Sequence, residues 1–187
     1  MSVRSQTTDT TETSESSNGA DSGGEAGSIR LYPVVWVYDG DTISVRIDDK
    51  VETVRLIGID TPEVDTPYTE LKCFGQEASL YLRDVLRDGS VRLESDSTAG
   101  NRDRYDRLLR YVFLADGTHV NENLVAKGYA VEYTYDSPYR YQAEFLQAQQ
   151  DARDSQKGLW SLATCAKTTA LGYNAFYARN NQTHAHF

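Results

Sequence analysis

The sequence is short of several things, and each shortage narrows what the chain can be. No stretch of its 187 residues approaches the roughly 18 apolar residues of a membrane span, and Met1-Ser2-Val3-Arg4 is not followed by the apolar run of a secretory signal. As written, the chain is expected to be soluble. The first 28 residues lack any large apolar side chain beyond Val3. They are nearly all Ser, Thr, Glu, Asp, Gly and Ala, and burying them could not offset the entropy of ordering them. Residues 1–28 are therefore expected to be a disordered tail or linker. Their Thr/Ser/Glu tract resembles the spacer that follows a removed leader or a lipid-anchored cysteine, so a leader missing from the start is also expected. The remaining length suits one domain with a real core and is too short for two ordinary ones. Cysteine is limited to Cys73 and Cys165, which fit either one disulfide closing a long loop or two buried thiols. Lysine is scarce, 5 against 14 arginines, and the formal net charge is −9. Diffuse basic attraction to a polyanion is thereby excluded as the basis of any nucleic-acid binding. High external salt would screen such attraction in any case, so the acidic, arginine-biased surface fits adaptation to salt as well as it fits ordinary solubility.

The hydrophobic period changes several times after Ile29. Leu31 to Tyr38 is rich in Val and aromatics, and Thr42 to Ile47 alternates across the tight Asp39-Gly40 turn, which predicts a hairpin. Val51 to Ile59 alternates again until Pro62 ends the strand, and Glu63 to Cys73 reads as a loop. Helical spacing of Ala78, Leu82, Val85 and Leu86 predicts a helix over Gly75 to Arg87, stopped by Asp88-Gly89. Ser90 to Glu94 and Leu108 to Leu114 read as strands around a polar loop. Asn121 is expected to cap a short helix ending at Gly128, and a third helix is expected from about Pro138 to Ser155. Five strands and three helices predict an α+β fold, a five-stranded OB-fold β-barrel with packed helices.

Three stretches carry the chemistry: Tyr38-Asp39-Gly40-Asp41-Thr42, Arg55 to Glu63, and Asp103-Arg104-Tyr105-Asp106-Arg107. A hard divalent cation takes oxygen ligands, and Asp41, Asp60 and the oxygens of Thr61 supply them. Arg55 and Arg107 offer guanidinium forks that match phosphate oxygens and stay charged. Glu63 is placed to orient or deprotonate a water. Each motif alone is weak, since Asp-Gly is the commonest hairpin turn and a surface Arg–Asp pair contributes little. Their conjunction predicts metal-assisted attack on a phosphodiester.

In order and spacing, Asp39-Gly40-Asp41-Thr42, Arg55-Leu56, Ile59-Asp60-Thr61-Pro62-Glu63, Gly75-Gln76-Glu77-Ala78, Asp103-Arg104-Tyr105 with Arg107, Asp116-Gly117, Val120-Asn121-Glu122 and Gly158-Leu159-Trp160 resemble the thermonuclease family, the Staphylococcal-nuclease-like domains, over most of Leu31 to Ser161. The resemblance implies an OB barrel with three helices and a Ca²⁺-dependent endonuclease cutting DNA and RNA with low sequence specificity to leave 3′-phosphates. By motif position, Asp41, Asp60 and the Thr61 carbonyl would hold calcium, Glu63 would act on water, and Arg55 and Arg107 would hold the phosphate. Arg104, Tyr105 and Tyr133, with Tyr135 close by, are the substrate-binding candidates, aromatic faces being tolerant of any base. Asp39 is read as a supporting partner of the metal ligands or as a purely structural turn residue. The domain is expected over residues 29–165, with a tail of unknown structure over 166–187 in which His184 and His186 lack a further ligand. A monomer working outside the cell or at its surface is expected, with the cytoplasm as the alternative.

One departure stands out. Where the family usually has Gly before its second arginine, this chain has Asp106, which tolerates positive φ but adds negative charge that would either weaken substrate affinity or pin Arg107. The rival functions are a catalytically silent nucleic-acid or protein-binding module and a small domain using calcium only for stability.

Overall fold

Alternation at Thr42–Ile47 (β2) puts Ile43 and Val45 on the inside, and the same period at Lys50–Leu56 (β3) puts Val54 and Leu56 beside them. The computed structural model describes Met1 and residues 30–62, 74–87 and 89–161. The expectations for 1–28, Glu63, Cys73, Cys165 and 166–187 lie outside these residues. Tyr32–Val37 (β1), β2, β3, Leu108–Phe113 (β6) and Ser90–Glu94 (β5) close into a barrel in that order. β3 and β6 run parallel, and the other pairs in the barrel are antiparallel. Ile43, Val45, Val54, Leu56, Val91 and Val112 are buried in its core, while Tyr111, on the other face of β6 from Val112, packs its buried ring against Tyr141 and Phe145. Three helices, Gly75–Val85 (α1), Val120–Ala126 (α2) and Gln142–Asp154 (α3), cover the barrel, with Leu82, Leu124 and Phe145 fully buried. The α+β barrel expected from the sequence is the fold observed.

Three local expectations are corrected. The strand read as Val51 to Ile59 breaks at Ile57-Gly58, where Gly58 takes a φ of 78° and a Cβ would lie 2.5 Å from the ring of Tyr139. Beyond the break, Ile59–Asp60 (β4) leaves the barrel and pairs with Val131–Glu132 (β7), a two-residue strand with no pattern of its own. Asn121 caps nothing. It is buried in the first turn of α2, accepts the Val112 N–H at 2.9 Å and donates to the Ile57 carbonyl at 2.9 Å. Finally, α3 starts at Gln142 rather than Pro138. The Arg140 N–H donates to Asp96 at 2.8 Å and holds the preceding residues in a turn.

Candidate active site

Two chain reversals meet at the end of the barrel, the Asp39–Asp41 turn between β1 and β2 and the exit from β3 through β4. Gly40 is where they touch: a Cβ there would lie 2.8 Å from both Ala78 of α1 and Thr61. With no side chain at Gly40, Thr61 reaches the buried carboxylate of Asp41. Both the N–H and the hydroxyl of Thr61 donate to Asp41 Oδ2 at 2.9 Å. Asp41 Oδ1 accepts the Thr42 hydroxyl at 3.0 Å and faces Arg55 Nε at 3.2 Å.

Arg55 crosslinks this junction. Its Nη1 donates to the carbonyls of Leu56 at 2.8 Å and Ile59 at 2.9 Å, which fixes the β3–β4 exit. Its Nη2 donates to Asp60 Oδ1 at 3.1 Å, so one guanidinium spans both carboxylates expected to bind metal. The sequence reading gave Arg55 to phosphate alone; its position shows a second, architectural task. Asp39 supports the turn by accepting the Asp41 N–H at 3.0 Å. Burial and then the neighbouring Asp41 carboxylate push Asp39 up to about 6.

Tyr133 borders the same cluster. Its N–H donates to the Gly58 carbonyl at 3.0 Å, and its phenol is held above the usual range by partial burial and then by the Asp60 charge. Tyr135 stands beside it, ring centroids 6.4 Å apart, and both rings are open to solvent.

The third motif forms a separate device on the loop entering β6, whose Leu108 pairs with Val54 next to Arg55. Asp103 organises it, accepting the N–H of Tyr105 at 2.9 Å and of Arg107 at 3.0 Å, and the Arg107 Nε at 2.6 Å. The exposed ring of Tyr105 has two guanidinium carbons within cation–π reach of its centroid, 4.8 Å for Arg104 and 5.3 Å for Arg107. Asp106 has a φ of 66°, a left-handed conformation that Asp tolerates better than most residues, and its carboxylate is 88% exposed and 3.5 Å from Arg102 Nε. Arg107 is therefore pinned by Asp103 and not by Asp106.

A family model described as Staphylococcal nuclease homologue matches residues 53–162, from within β3 to just past the last described residue. The chain belongs to the staphylococcal nuclease family. It is 41% identical over 132 residues to a thermonuclease of Staphylococcus hyicus, covering 71% of this chain and 76% of that one. It is 38% identical over 124 residues to the SPbeta prophage-derived endonuclease YokF of Bacillus subtilis (strain 168), covering 66% of this chain and 41% of that one. With endonuclease YncB of the same organism it shares 36% identity over 137 residues, 73% of this chain and 63% of that one. The chain thus spans less than two thirds of either endonuclease.

The donor set fits a hard cation. Asp41, Asp60 and the Thr61 carbonyl present oxygen alone, the donor type such a cation takes. Among the described residues no group of three or more Asp, Glu, His or Cys side chains is arranged to hold a metal, and Glu63 lies outside those residues. No helix among the described residues is long and apolar enough to cross a membrane.

Proposed function

We propose that this family member is a Ca²⁺-dependent endonuclease that hydrolyses DNA and RNA with low sequence specificity and leaves 3′-phosphates. Within it, the nuclease activity follows from the family and its thermonuclease and endonuclease relatives. The observation that carries the finer proposal is the Arg55 crosslink between two carboxylates, which sets a phosphate-binding cation and an all-oxygen anion pair on one junction.

Asp41, Asp60 and the Thr61 carbonyl would hold calcium, which when bound supplies positive charge against the charge that builds on the phosphate oxygens. Arg55 already donates three hydrogen bonds, to two carbonyls and to Asp60, and forms an ion pair with Asp41. It meets the substrate by exchanging the carboxylates for phosphate oxygens while keeping its carbonyl anchors. Arg107, aimed by Asp103, donates its outer N–H groups to the same phosphate. Glu63 orients the attacking water and takes its proton as the bond to phosphorus forms and the P–O5′ bond breaks, the 5′-oxygen leaving as a hydroxyl with a proton from solvent and the 3′ side keeping the phosphate. Arg104, Tyr105, Tyr133 and Tyr135 accept bases by stacking, which is why sequence is read loosely. The enzyme acts as a monomer outside the cell or at its surface, in salt that silences diffuse electrostatics, a setting that cell fractionation checks.

Digestion of single-stranded DNA with calcium, with a chelator, and by Glu63→Gln tests the chemistry. Glu63→Gln is expected to lower the rate about 10²- to 10⁴-fold, with calcium binding retained and wild-type products bearing 3′-phosphate ends. Full activity in that variant would remove Glu63 from the mechanism, and activity indifferent to chelation would remove the ion. Binding of DNA without cleavage by the wild type would leave only a binding module.

A further inference from the structure

The largest apolar side chain on the described surface belongs to Trp36, 60% exposed on β1. Strict alternation from Tyr32 and Val34 would send Trp36 inward. Instead β1 bulges: Val34 pairs with Val45 and Trp36 with Ser44, so an extra residue, Val35, is accommodated and the alternation flips. Val35 and Trp36 then both face solvent, and Val37 takes the buried place. Trp36 lines a groove of about 440 Å³ between β1 and the end of α1, with Val35 and Leu86 in its walls and Arg83 and Arg87 among its lining residues. Arg83 donates to the Val37 carbonyl at 3.4 Å, and Arg87 meets Asp84 at 3.2 Å in an exposed pair. Helix-dipole complementarity accounts for Arg83 in the last turn of α1; it does not account for an exposed indole beside it.

We propose that Trp36, Tyr38, Arg83 and Arg87 form an accessory subsite for single-stranded nucleic acid, holding unpaired bases and backbone phosphates of a strand whose scissile phosphate lies at Asp41 and Arg55. This rests on the nuclease proposal above and extends its substrate to a strand longer than the reacting nucleotides. Charge selects the occupant: among the described residues that line the groove two carry guanidiniums and none a carboxylate, Asp84 meeting Arg87 from outside the lining, in a chain of net charge −9. Continuity supports it, because Trp36 leads through exposed Tyr38 directly into Asp39-Gly40-Asp41, three residues or roughly 10 Å of chain from indole to turn. A second copy fits worse, since a two-fold contact would set the arginines of one groove against those of the other. An indole stacks on a base only when that base is unpaired, so the subsite favours single strands over duplex.

The test is equilibrium binding to the full chain in chelator, with a 12-residue oligothymidylate, a dinucleotide and a blunt duplex as probes. Wild type is expected to prefer the 12-mer to the dinucleotide, with quenching of tryptophan fluorescence that Trp36→Phe abolishes, Trp160 being buried. Trp36→Ala is expected to weaken 12-mer binding about tenfold. The double variant Arg83→Gln/Arg87→Gln should flatten the slope of log K against log salt by about 1.4, two phosphates' worth on a single strand. Thermal melts confirm that these surface variants fold. Unchanged 12-mer affinity and salt slope in all variants would overturn the subsite while cleavage by wild type still upheld the nuclease. Self-association lost in Trp36→Ala, without an effect on the 12-mer, would overturn it in favour of a dimer contact. Failure of wild type to cleave with calcium would instead strike the nuclease proposal, leaving the binding data to stand or fall alone.

Discussion

Gly40 and Asp103 act on the active site without belonging to its charges. At Gly40 a methyl group would press on Ala78 and on Thr61, the residue that gives two hydrogen bonds to Asp41. Gly40→Ala is expected to cost about 1–3 kcal/mol of stability and to lower kcat/KM at least tenfold, because the clash is relieved by moving Thr61. Urea midpoints beside initial rates measure both; a stable variant with normal kcat/KM would show that Thr61 need not stay where it is. On the third motif the structure separates two acids that the sequence could not rank. Asp103→Asn removes the charge holding Arg107 Nε and is expected to lower kcat by about tenfold or more. Asp106→Gly removes a carboxylate that faces water and Arg102, and is expected to leave kcat and KM within about twofold. The reverse ranking in steady-state kinetics would mean that Asp106 governs the phosphate after all.

At the scale of elements, Asn121 is the piece that ties barrel to site. Its amide joins the Val112 N–H of β6 to the Ile57 carbonyl at the start of the turn leading to Asp60. Asn121→Ala leaves both unpaired in the interior and is expected to cost about 2–4 kcal/mol, read from the denaturation midpoint at constant m-value. A loss under about 0.5 kcal/mol would mean that water replaces the amide. This residue also marks how far sequence reasoning reached. An Asn ahead of Leu124 and Val125 has the local pattern of a cap, and only the tertiary contacts reveal a buried bridge. The barrel strands and helices were legible because each is long enough to show its period. β4 and β7 were not, because two residues have no period and Ile57-Gly58 breaks a run whose apolar content continues. The bulge at Val35 was equally silent, with no glycine to announce it. Asp41, Arg55, Asp60 and Thr61 were legible as a set because metal and phosphate chemistry restrict residue types. That Arg55 would bind both carboxylates, and that Asp103 rather than Asp106 would hold Arg107, depended on side-chain direction, which spacing does not carry.

For the molecule as a whole, two buried groups withdraw stability in acid and a third opposes them. His119 is packed among Phe113, Tyr111 and Tyr141, and burial lowers it from 6.5 to about 4. Its neutral form is the one the fold accepts, so its contribution is complete above 6.5 and is lost as pH falls through about 4. Asp96 loses some ground to burial, but donors from Arg140, Tyr111 and Thr98 hold it at about 2 against 3.8. Its contribution is complete above 3.8 and is lost as pH falls through about 2. Each group is expected to account for on the order of 2 kcal/mol. Asp39, raised from 3.8 to about 6, acts in the opposite sense, favouring the fold at low pH and losing that benefit as pH rises through 6. His119→Phe isolates the histidine: between pH 7 and 5 the wild type should lose melting temperature relative to the variant, the gain from Asp39 being common to both, and an identical pH response of the two proteins would exclude His119 as a contributor. The central claim, that Asp41, Asp60 and Arg55 make one cation and phosphate site for strand cleavage, is tested most directly by titrating calcium into wild type and Asp41→Asn while following hydrolysis of single-stranded DNA. The wild-type rate should rise to saturation with calcium and vanish in chelator, and Asp41→Asn should fall by about 10² or more at saturating calcium. An Asp41→Asn rate equal to wild type, or a wild-type rate that ignores calcium, would contradict it.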